Sequence, residues 1–195
     1  MKQRLVLGKK GFSLIEILVA TAIFSIIIVA VTELFTRGYT SYYSGYFSYK
    51  AQTESIAAVH RMGKETRQAV ELIDASTQSV TIYEYVRSTD PAPSQVRFFL
   101  DTTTLKRGEI LATGAVAPYT YNPASETFRI VSDNVVNGAT PIFTYFDQNG
   151  SSIAQPVSEP NVTLIQIDVQ FGRNNFDDPF PVSTKVQIRN KKINL

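Results

Sequence analysis

The chain of 195 residues has no cysteine and a single histidine, His60. Without cysteine there is no disulfide, no thiolate nucleophile and no cysteine-ligated metal, so the fold must be held by buried apolar surface. One histidine, no glycine-rich phosphate loop and no clustered metal-ligand spacing leave no general-base constellation to name, so enzyme activity, a cofactor and a metal are not expected. Basic residues are also missing along one stretch: no Lys or Arg lies between Phe12 and Arg37. The whole chain holds 19 Lys plus Arg against 17 Asp plus Glu, but Lys2, Arg4, Lys9 and Lys10 all precede Gly11. Removing that segment leaves 15 against 17, a charge of about −2. With no basic groove interleaved with aromatics, nucleic acid is not an expected partner.

What is present is organised around residues 11–35, GFSLIEILVATAIFSIIIVAVTELF. The 21 residues from Phe12 to Thr32 would cover about 31 Å as helix, close to the hydrocarbon core of a bilayer. Glu16 is the one charge in that run, and Ser13, Thr21 and Ser25 can return their hydroxyls to the helix backbone. A carboxylate at that depth costs roughly 2.5–3.5 kcal/mol on insertion scales, so it needs a partner. The nearby absence of Lys and Arg puts that partner outside the helix. A cut after Gly11 would release the basic leader and expose an α-amino group on Phe12, able to neutralise Glu16 of another copy. An ordinary signal peptide cuts beyond a shorter apolar stretch, at small residues; here Thr32, Glu33, Leu34 and Phe35 offer no such site. A plain membrane anchor explains the length and the basic flank but not the Gly-Phe junction or Glu16. The basic leader, against Arg37 alone in residues 35–47, keeps the N terminus in the cytoplasm and exports the rest.

Beyond the span, Tyr39, Tyr42 and Tyr43 suit an aromatic belt at the membrane interface. Tyr46, Phe47 and Tyr49 are expected to pack on the globular domain or on neighbouring subunits. Gly38 and Gly45 lower helix stability and mark where the helix bends or melts. In residues 51–75, Ile56, Val59, Met62, Thr66, Ala69, Val70 and Ile73 recur at helical spacing, so one nearly continuous helix is expected from about Leu14 to Asp74. His60, Arg61 and Arg67 fit a solvated or ion-paired face. The period then changes to two. Strands are expected at 79–87, 95–101, 105–111, 126–132, 141–147, 163–171 and 182–189, with 117–122 less regular and 88–93 a proline-containing loop. The clearest alternates Ile165, Ile167, Val169 and Phe171 with polar residues, one face buried and one wet. Asn149-Gly150 signals a type I′ hairpin. Lys185, Arg189, Lys191 and Lys192 make the end of the chain locally basic, as a solvated edge would be.

The residues Lys10, Gly11, Phe12, Ser13, Leu14, Ile15 and Glu16, followed by the apolar run, resemble the cleavage and N-methylation motif of type IV prepilins and type II secretion pseudopilins. The resemblance implies that a prepilin peptidase cuts between Gly11 and Phe12 and methylates Phe12, and that Glu16 is the assembly carboxylate. It implies an α+β, pilin-like fold: a long N-terminal helix, transmembrane then amphipathic, packed on an antiparallel β-sheet of roughly six to nine strands. The expected organisation is a leader at 1–11, a transmembrane and assembly helix at 12–35, and an exported globular domain at 36–195. The partners implied are the prepilin peptidase, other pilin or pseudopilin subunits, the inner-membrane assembly platform and, as a single-pass precursor, the membrane. Many major pilins have a proline in this apolar helix, whereas this chain has none before Pro91. Residues 187–190 resemble the last strand of J-like or W-like minor subunits, so a structural minor pilin or pseudopilin is expected, with a major pilin or a membrane-anchored binding module (an adhesin or a DNA-uptake protein) as alternatives. Some pseudopilins bind calcium, which raises Asp147, Asn149 and Ser151, and more weakly residues 174–178, as ligands; the acidic spacing of an EF-hand is absent, so a turn is the preferred reading of the first group.

Overall fold

The computed structural model describes residues 11–114, 116–173 and 176–188, with only the backbone at 173 and 176–178. Its contacts divide into two units at the step from Tyr46 to Phe47. Helix α1, Leu14–Gln68, begins in the first and ends in the second.

In the first unit every residue from 14 to 43 is exposed. Its hydroxyls turn inward onto the helix's own backbone: Thr21 donates to the Leu18 carbonyl (3.0 Å), Ser25 to Thr21 (2.8 Å) and Thr32 to Ile28 (2.8 Å). Each such bond hides a polar group that neither lipid nor an apolar neighbour could satisfy. Gly38 and Gly45 are helical, with open space where a side chain would be.

In the second unit, α1 buries Ser55, Ala58, Val59, Met62, Gly63 and Thr66, a stripe at alternating spacings of three and one. Ile56, expected on that stripe, is 37% exposed instead. Tyr49 is 70% exposed and does not join the core. The small residues in the stripe bring helix and sheet close together. A Cβ on Gly63 would stand 3.2 Å from a Val186 methyl and 3.4 Å from that of Thr184.

The helix ends at Gln68, earlier than expected; Ala69 and Val70 connect it to a strand that takes up the residues from Glu71 onward. Strand β1 (Glu71–Ala75) pairs with β2 (Ser79–Glu84) and carries a bulge between Leu72 and Asp74. The bulge shifts the alternation by one, so Leu72 and Ala75 are both buried, and with Ala69 just before the strand they stand at a spacing of three. That spacing imitates a helix, while β-branched Ile73 favours the strand.

Strands β3 (Ser94–Asp101) and β4 (Thr104–Ile110) follow, then the short pair β5 (Ala112–Thr113) and β6 (Thr120–Tyr121) and strand β7 (Thr127–Ser132). Strands β8 (Phe143–Phe146), β9 (Leu164–Arg173) and β10 (Phe176–Gln187) complete the unit. All pairing is antiparallel. The expected antiparallel layer is present but divided. Among the described residues there is a five-stranded sheet in the order β1-β2-β3-β4-β7, a three-stranded sheet β10-β9-β8, and the two-stranded β5-β6.

Alternation on β9 is as read: Ile165, Ile167, Val169 and Phe171 are all buried. They share one core with Met62, Phe98, Phe143 and Tyr145. The Tyr145 hydroxyl donates to the Ser76 carbonyl (2.8 Å), so a phenol with no water around it still has an acceptor. Beside β9, two asparagines do the work of a strand. Asn137 bonds the Asp168 carbonyl and the Gln170 N–H, and Asn134 bonds the Gly172 carbonyl.

Tyr121 and Glu126 lie against side chains of the five-stranded sheet. Tyr121 stacks on Tyr83 with centroids 4.8 Å apart, and its hydroxyl donates to the Pro93 carbonyl (2.8 Å). Glu126 accepts from Nε and Nη2 of Arg97 at 3.1 and 2.8 Å and lies across Gly108, where a Cβ would meet its Oε1 at 1.9 Å.

The Asn149-Gly150 turn is present, but not as type I′. Only Gly150 has positive φ (+79°), the Gly150 N–H bonds the Asp147 carbonyl, and a single bridge pairs Phe146 with Ser152. This is a type I turn followed by a left-handed glycine, the usual three-residue alternative.

Candidate functional site

The Gly11-Phe12 junction lies outside helix and strand, just before α1. Phe12 is 83% exposed, and a side chain added at Gly11 would meet nothing within 4 Å. A glycine required here is therefore required by what binds the segment, not by the fold.

Helix α1 starts at Leu14 because Ser13 and Glu16 form a capping box. Ser13 Oγ accepts from the Glu16 N–H (3.2 Å), and Glu16 Oε2 accepts from the Ser13 N–H (3.0 Å). Two of the donors left open at a helix N terminus are thereby satisfied. The sequence reading sought a counter-charge for Glu16 outside its own helix and missed this local backbone partner. The Ser-x-x-Glu pattern ahead of an apolar run was the signal that would have revealed it. Glu16 forms no ion pair among the described residues. The leader residues Lys2, Arg4, Lys9 and Lys10 lie outside them.

After this cap, α1 is long and apolar enough to cross a membrane, and none of its most apolar window is buried. That fits a single-pass anchor. Tyr39 packs on Tyr43 (4.3 Å between centroids) and Tyr42 meets Tyr43 edge-on (5.9 Å).

Other residues singled out in the sequence have local roles. Asp147 Oδ1 accepts the N–H groups of Asn149 (2.9 Å) and Ser151 (2.8 Å), which commits that carboxylate to its turn. His60 is exposed and Arg61 pairs with Glu65, as an ion-paired face requires. Lys185 stands 5.0 Å over the Phe146 ring. Residues 174–175, the side chains of 176–178, and Arg189, Lys191 and Lys192 lie outside the described residues.

A second polar concentration went unread in the sequence. Arg107 on β4, 4% exposed, donates from Nε to Glu65 Oε2 (2.6 Å) and from Nη1 to Glu109 Oε2 (2.5 Å). Burial works against its charge, but the hydrogen bonds to Glu109 and Glu65 outweigh burial and hold its pKa above the ordinary value. Beside it, Glu84 at the end of β2 is also 4% exposed, and its Oε2 has no hydrogen-bond partner. Burial first, then the negative charge of Glu65, pushes the Glu84 pKa up to about 7. Glu65 reaches Arg107 across 42 positions, a pairing that no local pattern announces.

Compared with known proteins, no curated protein matches the chain. Residues 7–32 match the family described as the prokaryotic N-terminal methylation motif, which takes in the Gly11-Phe12 junction, the Ser13–Glu16 cap and most of the exposed apolar run. The chain thus carries that methylation motif at its N terminus, and the match supports a type IV pilin-like protein.

Proposed function

We propose that this chain is a structural minor pilin or pseudopilin, processed by a prepilin peptidase and assembled into a type IV pilus or a type II secretion-like filament. The observation that carries the reading is the methylation motif leading directly into an apolar helical surface left uncovered within its own unit. Such a surface is stable in lipid, and equally so among like helices that replace the lipid. The precursor waits in the inner or cytoplasmic membrane with its leader inside and its globular part exported. Cleavage then frees the Phe12 amine, which is methylated, and Glu16 meets the N terminus of a neighbour. The cap supports this role, because it holds the Glu16 carboxylate at the first turn of the helix, close to the new N terminus.

Mass spectrometry of the protein from cells with a prepilin peptidase should show residues 12–195 with a methylated Phe12, and Gly11→Val should block the cut. A mature chain beginning beyond Thr32 would overturn the reading. Glu16→Gln separates capping from pairing, since glutamine can still accept the Ser13 N–H but carries no charge. The variant should be processed and stay in the membrane yet enter filaments poorly, as read by fractionation.

A further inference from the structure

The sequence carries two Asn-Gly pairs, Asn137-Gly138 and Asn149-Gly150, and the fold holds them in opposite ways. The backbone nitrogen that follows an asparagine is one ring closure away from the side-chain carbonyl carbon, and glycine, with no Cβ, leaves that approach open. Asn122 is followed by a proline, which has no N–H, and Asn134 and Asn161 by valines, whose branched side chains crowd the approach. Asn137 is 4% exposed, and both ends of its carboxamide are held: Nδ2 donates to the Asp168 carbonyl (2.9 Å) and Oδ1 accepts from the Gln170 N–H (2.7 Å). Asn149 and Gly150 are both exposed, at the tip of the turn after β8. The Asn149 Nδ2 lies 3.5 Å from Asp147 Oδ2, at the limit of a hydrogen bond. The Gly150 N–H makes one bond, to the Asp147 carbonyl (3.1 Å).

We propose that Asn149 is a site of spontaneous modification, at which the chain converts its own carboxamide to a carboxylate. Hydroxide removes the Gly150 amide proton, the nitrogen adds to Asn149 Cγ, and the Cγ–Nδ2 bond breaks, the departing nitrogen taking a proton from water and leaving as ammonia. A five-membered imide results. Water then opens it at either carbonyl: cleavage of the new bond to Cγ gives aspartate, and cleavage of the original peptide bond gives isoaspartate, whose backbone runs through Cγ. The net change is one water consumed and one ammonia released, with no oxidant or cofactor. Ring closure at Asn149 requires the opening of one bond at an exposed loop tip, whereas at Asn137 two bonds of a buried side chain must break first. Either product changes the turn. The new carboxylate stands beside Asp147, so a polar contact becomes a like-charge one. In isoaspartate the added backbone carbon also displaces the Gly150 N–H from the Asp147 carbonyl and loosens the Phe146–Ser152 bridge. The inference does not depend on whether the chain enters a filament.

The test is ageing of the full chain in detergent micelles in mild alkali, followed by proteolysis at Lys and Arg. Both asparagines lie on the fragment 130–173, so fragment-ion mass spectrometry compares them within one molecule. In the folded chain Asn149 should gain the mass of an amide-to-acid exchange at least about 10-fold faster than Asn137, because two buried hydrogen bonds restrain the latter. The rate at Asn149 should rise with hydroxide concentration. In denaturant the two should convert at comparable rates, since each is then an asparagine before a glycine in an open chain. Asn149→Gln, which would have to close a six-membered ring, should abolish the change at that position and leave Asn137 as it was. Equal rates at the two asparagines in the folded chain overturn the proposal. So does an unmodified Asn149 under conditions that modify it in the unfolded chain, or a ratio unchanged in denaturant, which would assign the difference to the flanking residues.

Discussion

Between residues 14 and 43, helix α1 carries isoleucine, leucine, valine and phenylalanine on all sides and buries none of them, whereas between 55 and 66 it buries serine, alanine, glycine, threonine, one valine and one methionine. The more apolar stretch is the exposed one. Fully burying a large aliphatic side chain is worth about 1.5–3 kcal/mol, so the first stretch leaves a large stabilisation unclaimed within its own unit. The second stretch uses small side chains to approach the sheets, and the bulk of the core comes from them, through Phe98, Phe143, Tyr145, Ile165 and Ile167. Apolar content therefore marks where a helix needs company. Small residues at helical spacing mark where it already has it.

The largest expected effect tests this directly. Met62→Ala should lower the unfolding free energy of the second unit by about 2–5 kcal/mol, because a fully buried side chain leaves a cavity. Ile26→Ala, on the exposed stretch, should change it by less than about 0.5 kcal/mol. Denaturant titration of the full chain in micelles reads both, and equal losses would break the comparison.

An intermediate effect should come from pH. Glu84 holds its proton up to about pH 7 in the folded chain, whereas its ordinary value is 4.5. The stabilisation that this proton provides is complete below the ordinary value and is lost as pH rises through the folded one. Screening by nearby solvent reduces its size to on the order of 2 kcal/mol. Glu84→Gln should flatten that part of the stability curve and leave the variant more stable than the parent at about pH 8. A slope that persists in the variant would assign the titration to another group.

The smallest effect compares two threonines on one helix. Thr66 is buried with its hydroxyl unbonded, whereas the Thr32 hydroxyl bonds the Ile28 carbonyl. Thr66→Val should raise stability by about 1 kcal/mol, by removing a polar group that has no partner. Thr32→Val should leave the second unit unchanged. A loss at position 66 would show that its hydroxyl finds a partner such as a bound water.

Features whose cause is local in the chain were legible. The apolar run, the two-residue alternation of β9 and the proline-containing loop at 88–93 all depend on neighbours a few positions away, and all three occur where expected. The capping box was equally local, but Glu16 was read only as a charge in lipid. The end of α1 was misplaced because one bulge in β1 gives a strand the burial spacing of a helix. A two-residue connection joins β3 to β4 with Thr102 at φ +59°, a conformation that asparagine or glycine would have signalled and a β-branched residue does not. The asparagine contacts along β9 and the bond from Arg107 to Glu65 rest on partners more than 30 positions away.

The carboxylate lying across Gly108 has a consequence for descent. A side chain arising at position 108 must displace the Glu126 carboxylate, which as the end of a flexible side chain can swing aside at the cost of its bonds to Arg97. A lineage that first lost Glu126 would open position 108 to larger residues and leave the Arg97 guanidinium without its bidentate acceptor, removing the selection that holds it. Three positions spread over 30 residues thus behave as one inherited character. Between them, Tyr121 is tied to Tyr83 and to the Pro93 carbonyl, so the connection back to Glu126 is held at its middle as well as at its end.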